Sequence, residues 1–103
     1  MQLYEAYEMV EMAEKIKERK CLIILSENLK KYRLYLYEEY NKLKKGVDNP
    51  YSSENIASIL NISRRHYKRL ENPNAITKNI SIEKLLILSE IYNIPIEDFF
   101  KNN

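Results

Sequence analysis

Four cations crowd into residues 64–69: Arg64, Arg65, Lys68 and Arg69. An arginine fork donates two parallel hydrogen bonds to a guanine edge or a phosphate, and lysine brings a point charge to the same oxygens. Ser63, His66 and Asn72 add smaller polar groups beside them. Such a set suits a polyanion better than a reacting carbon. Little else in the chain suggests covalent chemistry. One histidine and one cysteine leave no triad and no metal-ligand set, and Glu38 and Glu39 are sequential, so they lie on different faces of a helix. The single glycine, Gly46, excludes a glycine-rich phosphate loop. Cys21 reads as a small buried hydrophobe, and His66 as a polar surface residue rather than a ligand. The expectation is a protein that is not an enzyme and needs no cofactor or metal.

The net charge of +2 over 103 residues conceals a pattern. Residues 1–20 carry five glutamates against four cations, and 81–103 carry four acids against two cations. Between them, 27–46 hold six cations against three acids, and 51–79 hold five against two. The basic excess is central, and a local cluster matters more to a polyanion than the sum does. A hydrophobic fraction of 45% allows a real core. The longest apolar run, residues 21–25, is far too short to cross a bilayer. A lone cysteine forms no disulfide within the chain, so a cytoplasmic location and no membrane are expected.

The elements that must hold these cations are helical throughout. Leu29, Tyr32, Leu36, Tyr40 and Leu43 recur at spacings of three and four, which predicts an amphipathic helix over 27–46 with Ser26 as its N-cap. Gly46 and the run Asp48, Asn49, Pro50 then break the chain. Ser52 caps a short helix, 53–60, that carries Ile56, Ala57 and Leu60. Asn61, Ile62 and Ser63 form a turn, with Asn61 the best non-glycine choice for a left-handed backbone. Ser63 caps a second short helix, 64–71, that faces Tyr67 and Leu70 inward and stops before Pro73. A polar loop follows over 72–80. Ser81 caps a fourth helix to about residue 92, with Ile82, Leu85, Leu86 and Ser89 on one face. Pro95 opens a last turn whose Phe99 and Phe100 are expected to plug the core.

Two short helices joined at a tight turn, the second bearing outward cations, form a helix-turn-helix, whose second helix lies in the DNA major groove. A further pairing supports this frame. Arg33 falls on the apolar stripe of the long helix, and Glu71 follows Tyr67 by four on the inward face of the second short helix. A charge on an apolar face needs a partner, so Arg33 and Glu71 are expected to pair.

Residues 26–100 resemble the XRE family of helix-turn-helix domains, of the Cro and lambdoid-repressor type. The matching pieces are residues 28–33, 51–72, 82–86 and 92–100. The resemblance implies an all-α, five-helix, lambda-repressor-like domain over 26–103 that binds operator DNA, usually as a homodimer. It implies base contacts from Arg64, Arg65 and Arg69, a phosphate contact from Ser53, and a buried ion pair between Arg33 and Glu71. Ser63, His66, Lys68, Asn72, Asn74, Thr77, Lys78 and Asn79 are further candidates for DNA contact. The chain departs from the family in the long interval 34–51, in the longer loop after Glu71 with Pro73 where glycine is common, and in residues 1–25, which have no counterpart.

Residues 1–25 read as a helical arm with a broad apolar stripe: Leu3, Tyr7, Val10 and Ala13, or Met9, Met12 and Ile16. The arm either packs on the domain's own core or serves dimerisation or a protein partner. Residues 21–25 either continue the helix or form a short strand. The function expected is a sequence-specific DNA-binding transcriptional regulator, a repressor by resemblance. The alternative is a protein-interaction module, such as an antitoxin-type regulator, that holds a partner through the arm or the long helix.

Overall fold

The computed structural model describes residues 3–44, 46, 48–75 and 80–102, and for 3–8, 10, 13 and 15–17 it describes the backbone alone. Every regular element among the described residues is helical: α1 (Leu3–Leu43), α2 (Ser53–Ile59), α3 (Arg64–Leu70), α4 (Ile82–Tyr92) and a terminal 3-10 helix (Ile96–Phe100).

The arm and the first predicted helix are one element. α1 runs 41 residues without a break, which at 1.5 Å per residue is about 60 Å, and the molecule's long dimension is 64 Å. No glycine or proline interrupts residues 3–43, and the helix formers Glu, Leu and Lys are, with Tyr, the commonest residues there. Ser26 is therefore not an N-cap. It is fully buried mid-helix, and its hydroxyl has no hydrogen-bond partner. Residues 21–25 continue the helix, with Leu22 and Leu25 turned to the body. Cys21 is exposed rather than buried, because it lies just before Leu22 and Leu25, where the cover of the body begins. The helix ends at Leu43, short of Gly46, which takes a φ of +81° in the following turn.

The core gathers Leu25 and Leu29 of α1, Ile56 and Ala57 of α2, Leu60 just after it, Tyr67 and Leu70 of α3, Leu85, Leu88 and Tyr92 of α4, and Phe99. Phe99 receives the rings of Tyr32 and Tyr92 edge-on, at 6.2 and 6.4 Å between centroids. Three sequence expectations fail here. Leu43 is 82% exposed, because the end of α1 has passed the body. Ile82 and Leu86 are exposed at 73% and 50%. Helix α4 is apolar nearly all round, so periodicity does not choose its buried face, and packing selects Leu85, Leu88 and Tyr92. Of the two phenylalanines, only Phe99 plugs the core, while Phe100 faces outward.

Two asparagine side chains join the long helix to the rest. Asn28 donates to the carbonyls of Phe99 at 2.8 Å and Lys101 at 2.9 Å, which pins the C-terminal turn to α1. Asn49 donates to the Tyr37 carbonyl at 2.9 Å and accepts from the Tyr51 amide at 2.9 Å, which folds the chain back toward α2. Both are buried, so each bond satisfies a group that would otherwise be costly to bury.

Candidate nucleic-acid interface

The geometry of α2 and α3 follows from their ends. Ser52 accepts from the Asn55 amide at 3.1 Å, and Ser63 from the His66 amide at 3.0 Å, so each serine satisfies a free N–H at the start of its helix. Between them Asn61 adopts φ +56°. The Ile62 amide reaches back to the Ala57 carbonyl and the Asn61 amide to Ser58, each at 3.0 Å. This is a Schellman closure, and it reverses the chain in three residues. Asn93 ends α4 in the same way at φ +53°, with Ile94 bonded to Ser89. Ala57, small and 2% exposed, lets α2 and α3 cross closely.

That crossing fixes which side of α3 faces out. Tyr67 and Leu70 are buried, and Arg64, Lys68, Arg65 and Arg69 fill one continuous arc on the opposite side, all exposed. Arg65 and Lys68 make no intramolecular hydrogen bond or ion pair among the described residues. Arg64 is held from behind: its Nε donates to the Ser53 hydroxyl at 3.3 Å, and its Nη1 lies 3.4 Å from Glu54. Ser53 is itself 7% exposed, so in this state its hydroxyl orients Arg64 from a buried position. His66 is half-buried, and its amide is used by the Ser63 cap. Asn72 is exposed, and its side chain accepts from the Asn74 amide at 2.9 Å, which shapes the start of the following loop. Asn74 is exposed beside it. Thr77, Lys78 and Asn79 lie outside the described residues.

The orientation of α3 is locked to α1 by Arg33 and Glu71. The guanidinium Nε donates to one carboxylate oxygen at 2.6 Å and Nη2 to the other at 2.9 Å, with the side chains 7% and 5% exposed. Nη1 also donates to the Tyr51 carbonyl at 3.3 Å, and the guanidinium stands 5.9 Å from the Tyr67 ring centre. Burial alone lowers the arginine's pKa, but the hydrogen bond and charge of Glu71 outweigh it and the net shift is upward. Deeper still, the hydroxyls of Tyr67 and Tyr92 share a 2.8 Å hydrogen bond. Burial pushes both phenols well above their ordinary value, with Glu71's charge adding to the effect.

Sequence reasoning did not single out Asn28, Asn49, Asn93 or the Tyr67–Tyr92 bond. A position after α4 resembling Asn61 could have flagged Asn93. Asn49 lies in the turn that the sequence marks, but its bond to the Tyr37 carbonyl, like those of Asn28 and the Tyr67–Tyr92 pair, depends on contact between segments distant in sequence and leaves no local signal. Among the described residues no group of three or more His, Cys, Asp or Glu gathers in space, and no helix is long and apolar enough to cross a membrane. Comparison with protein-family models, curated proteins and solved structures found no match.

Proposed function

We propose that this protein is a sequence-specific DNA-binding regulator of the XRE type, in which α3 enters the major groove. The observation that carries the proposal is the arc of four cations on α3, turned outward by a helix-turn-helix and backed by buried Tyr67 and Leu70. Arg65 and Lys68 have no partner to surrender on binding, so their charge is available to phosphate or base. Arg64 exchanges a weak, exposed pair with Glu54 for a DNA contact at little cost. The Arg33–Glu71 lock supports the reading because it holds the helix rigid before DNA arrives, which lowers the ordering cost of association.

In this reading Arg64, Arg65 and Arg69 read base edges, Lys68, Ser63, His66, Asn72 and Asn74 position the DNA backbone, and buried Ser53 acts through Arg64, with Thr77, Lys78 and Asn79 of the following loop as further phosphate contacts. Binding represses transcription by occupying an operator. Selection of bound duplexes from a random library tests the proposal: it predicts an enriched motif and an affinity that falls steeply with salt. Absence of enrichment together with salt-insensitive binding refutes it. The exposed Met9 and Met12 of the arm favour a protein contact in addition.

A further inference from the structure

The arm of α1 extends beyond everything that packs on it. Among the described side chains the first of α1 in contact with the core are Leu22 and Leu25, and those at 9, 11, 12, 14 and 18–21 of the nineteen-residue stretch before them are exposed. A helix of that length is marginal in water unless something covers one face. Of its two apolar sets, the positions of Leu3, Tyr7 and Val10 continue the stripe that the body uses, and a second set does not. At about 100° per residue, Met9, Met12, Ala13 and Ile16 fall on the side of α1 roughly opposite Leu25 and Leu29. Met9 and Met12 are 57% and 63% exposed, and the half-buried Ile23 and Ile24 extend the same side toward the body. The body therefore cannot fold back over this face.

The charges say what can. Along the arm four acids come first, at positions 5, 8, 11 and 14, and the cations follow at 15, 17, 19 and 20 with one acid, Glu18, among them. Glu5 and Arg19 each stand seven residues from Met12, two helical turns to either side and therefore on one face. We propose that the arm is a self-association surface: two copies pair antiparallel through residues 3–21, with the two-fold axis near Met12. In that arrangement position 5 of each copy meets position 19 of the other, so two Glu–Arg contacts of opposite sign flank an apolar centre. A parallel pair instead sets Glu5 beside Glu5 and Arg19 beside Arg19, and like charges at those places oppose it. The midpoint of the free arm is also residue 12, so each arm tip reaches the partner's body and stops there. The inference rests on the arm and is independent of DNA binding.

The test uses the full chain. Sedimentation equilibrium should show a dimer, and Glu5→Arg or Arg19→Glu should each raise its dissociation constant about tenfold. The double variant Glu5→Arg/Arg19→Glu should restore it, because the contacts are reversed and not removed. Circular dichroism of each variant checks that the body is folded, which these positions leave untouched. Orientation is read from a nitroxide on Cys21, the chain's one cysteine and an exposed one. Cys21 lies nine positions past Met12. Nine residues are two and a half turns, so Cys21 lies on the outer side of each arm: antiparallel arms hold the labels about 34 Å apart, and parallel arms about 20 Å apart, the width of the pair. The expected distance distribution is centred at or above the longer value. A monomer at the concentrations used for the label, charge reversals that leave the dimer unchanged, a double variant no better than the single ones, or the short distance overturns the proposal.

Discussion

Replacing Glu71 with alanine is the sharpest test of how α3 is held. The carboxylate accepts two hydrogen bonds from Arg33, at 2.6 and 2.9 Å, in a site where both side chains are more than nine-tenths buried. Removing it leaves a buried guanidinium whose remaining acceptor is the Tyr51 carbonyl at 3.3 Å. Breaking one side of such a pair costs about 3–5 kcal/mol, because the surviving charge is stranded in a poorly solvated place. A domain of this size has about 5–15 kcal/mol in all, so Glu71→Ala should sit close to its unfolding transition at room temperature. The double variant Arg33→Met/Glu71→Leu removes both charges and fills the same space. It should recover most of the loss, giving a coupling of roughly 2–3 kcal/mol in a double-mutant cycle. The single variants Arg33→Met and Glu71→Leu close that cycle, and urea unfolding followed by circular dichroism measures all five proteins. A single-variant loss under about 1 kcal/mol, or additive losses in the double variant, would falsify the claim that this pair is buried and indispensable as a unit.

Four further outcomes follow from named contacts. Arg65→Ala should weaken binding to the selected DNA motif by about 1–3 kcal/mol and relax its preference, whereas Lys68→Ala should weaken all duplexes alike and reduce the salt slope by about 0.9; identical effects from the two would refute the division of roles. Ser26→Ala removes a buried hydroxyl without a partner and replaces it with the best helix former, so it should stabilise the fold by about 1 kcal/mol, and a loss in urea unfolding contradicts this. Asn61→Ala should cost about 1 kcal/mol and Asn61→Gly little or nothing, because only glycine matches asparagine at φ +56°; equal unfolding midpoints would show the turn to be unstrained. Finally, Tyr67 and Tyr92 both have folded pKa values raised above the ordinary 10.0 by burial. The unfolded state therefore loses its phenolic protons first, so their contribution is full below pH 10 and falls above it, by about 1.4 kcal/mol per pH unit for each tyrosine. Tyr92→Phe should roughly halve that slope, and stability that stays flat from about pH 10 to 11 rules the effect out.

Much of the site was legible because its signals are local. A serine before each short helix, an asparagine at the turn and a small residue at the crossing are short-range demands, and the structure meets each with the expected bond. The pairing of Arg33 with Glu71 was legible for a different reason: each is a charge on an apolar stripe, and opposite charges so placed need one another. The register of α4 was not legible, because a helix apolar on most sides offers several faces and only its neighbours choose among them. Ser26 misled for a related reason. Serine is a capping residue only where the helix begins, and nothing before it stops the helix.

The sequence by itself determined that the chain is helical, where its turns fall, and that the densest positive charge lies on one short helix. Those are consequences of periodicity, capping and backbone preference, which act over a few residues. The tertiary structure decided that arm and first helix are one rod, that Asn28 and Asn49 join the rod to distant backbone, and that Met9 and Met12 stand exposed on the side of the rod opposite Leu25 and Leu29. Each of these depends on the rotation accumulated along an unbroken helix and on which distant segment reaches it. That rotation, taken over the whole of α1, is what turns Met9 and Met12 away from the side that the body covers.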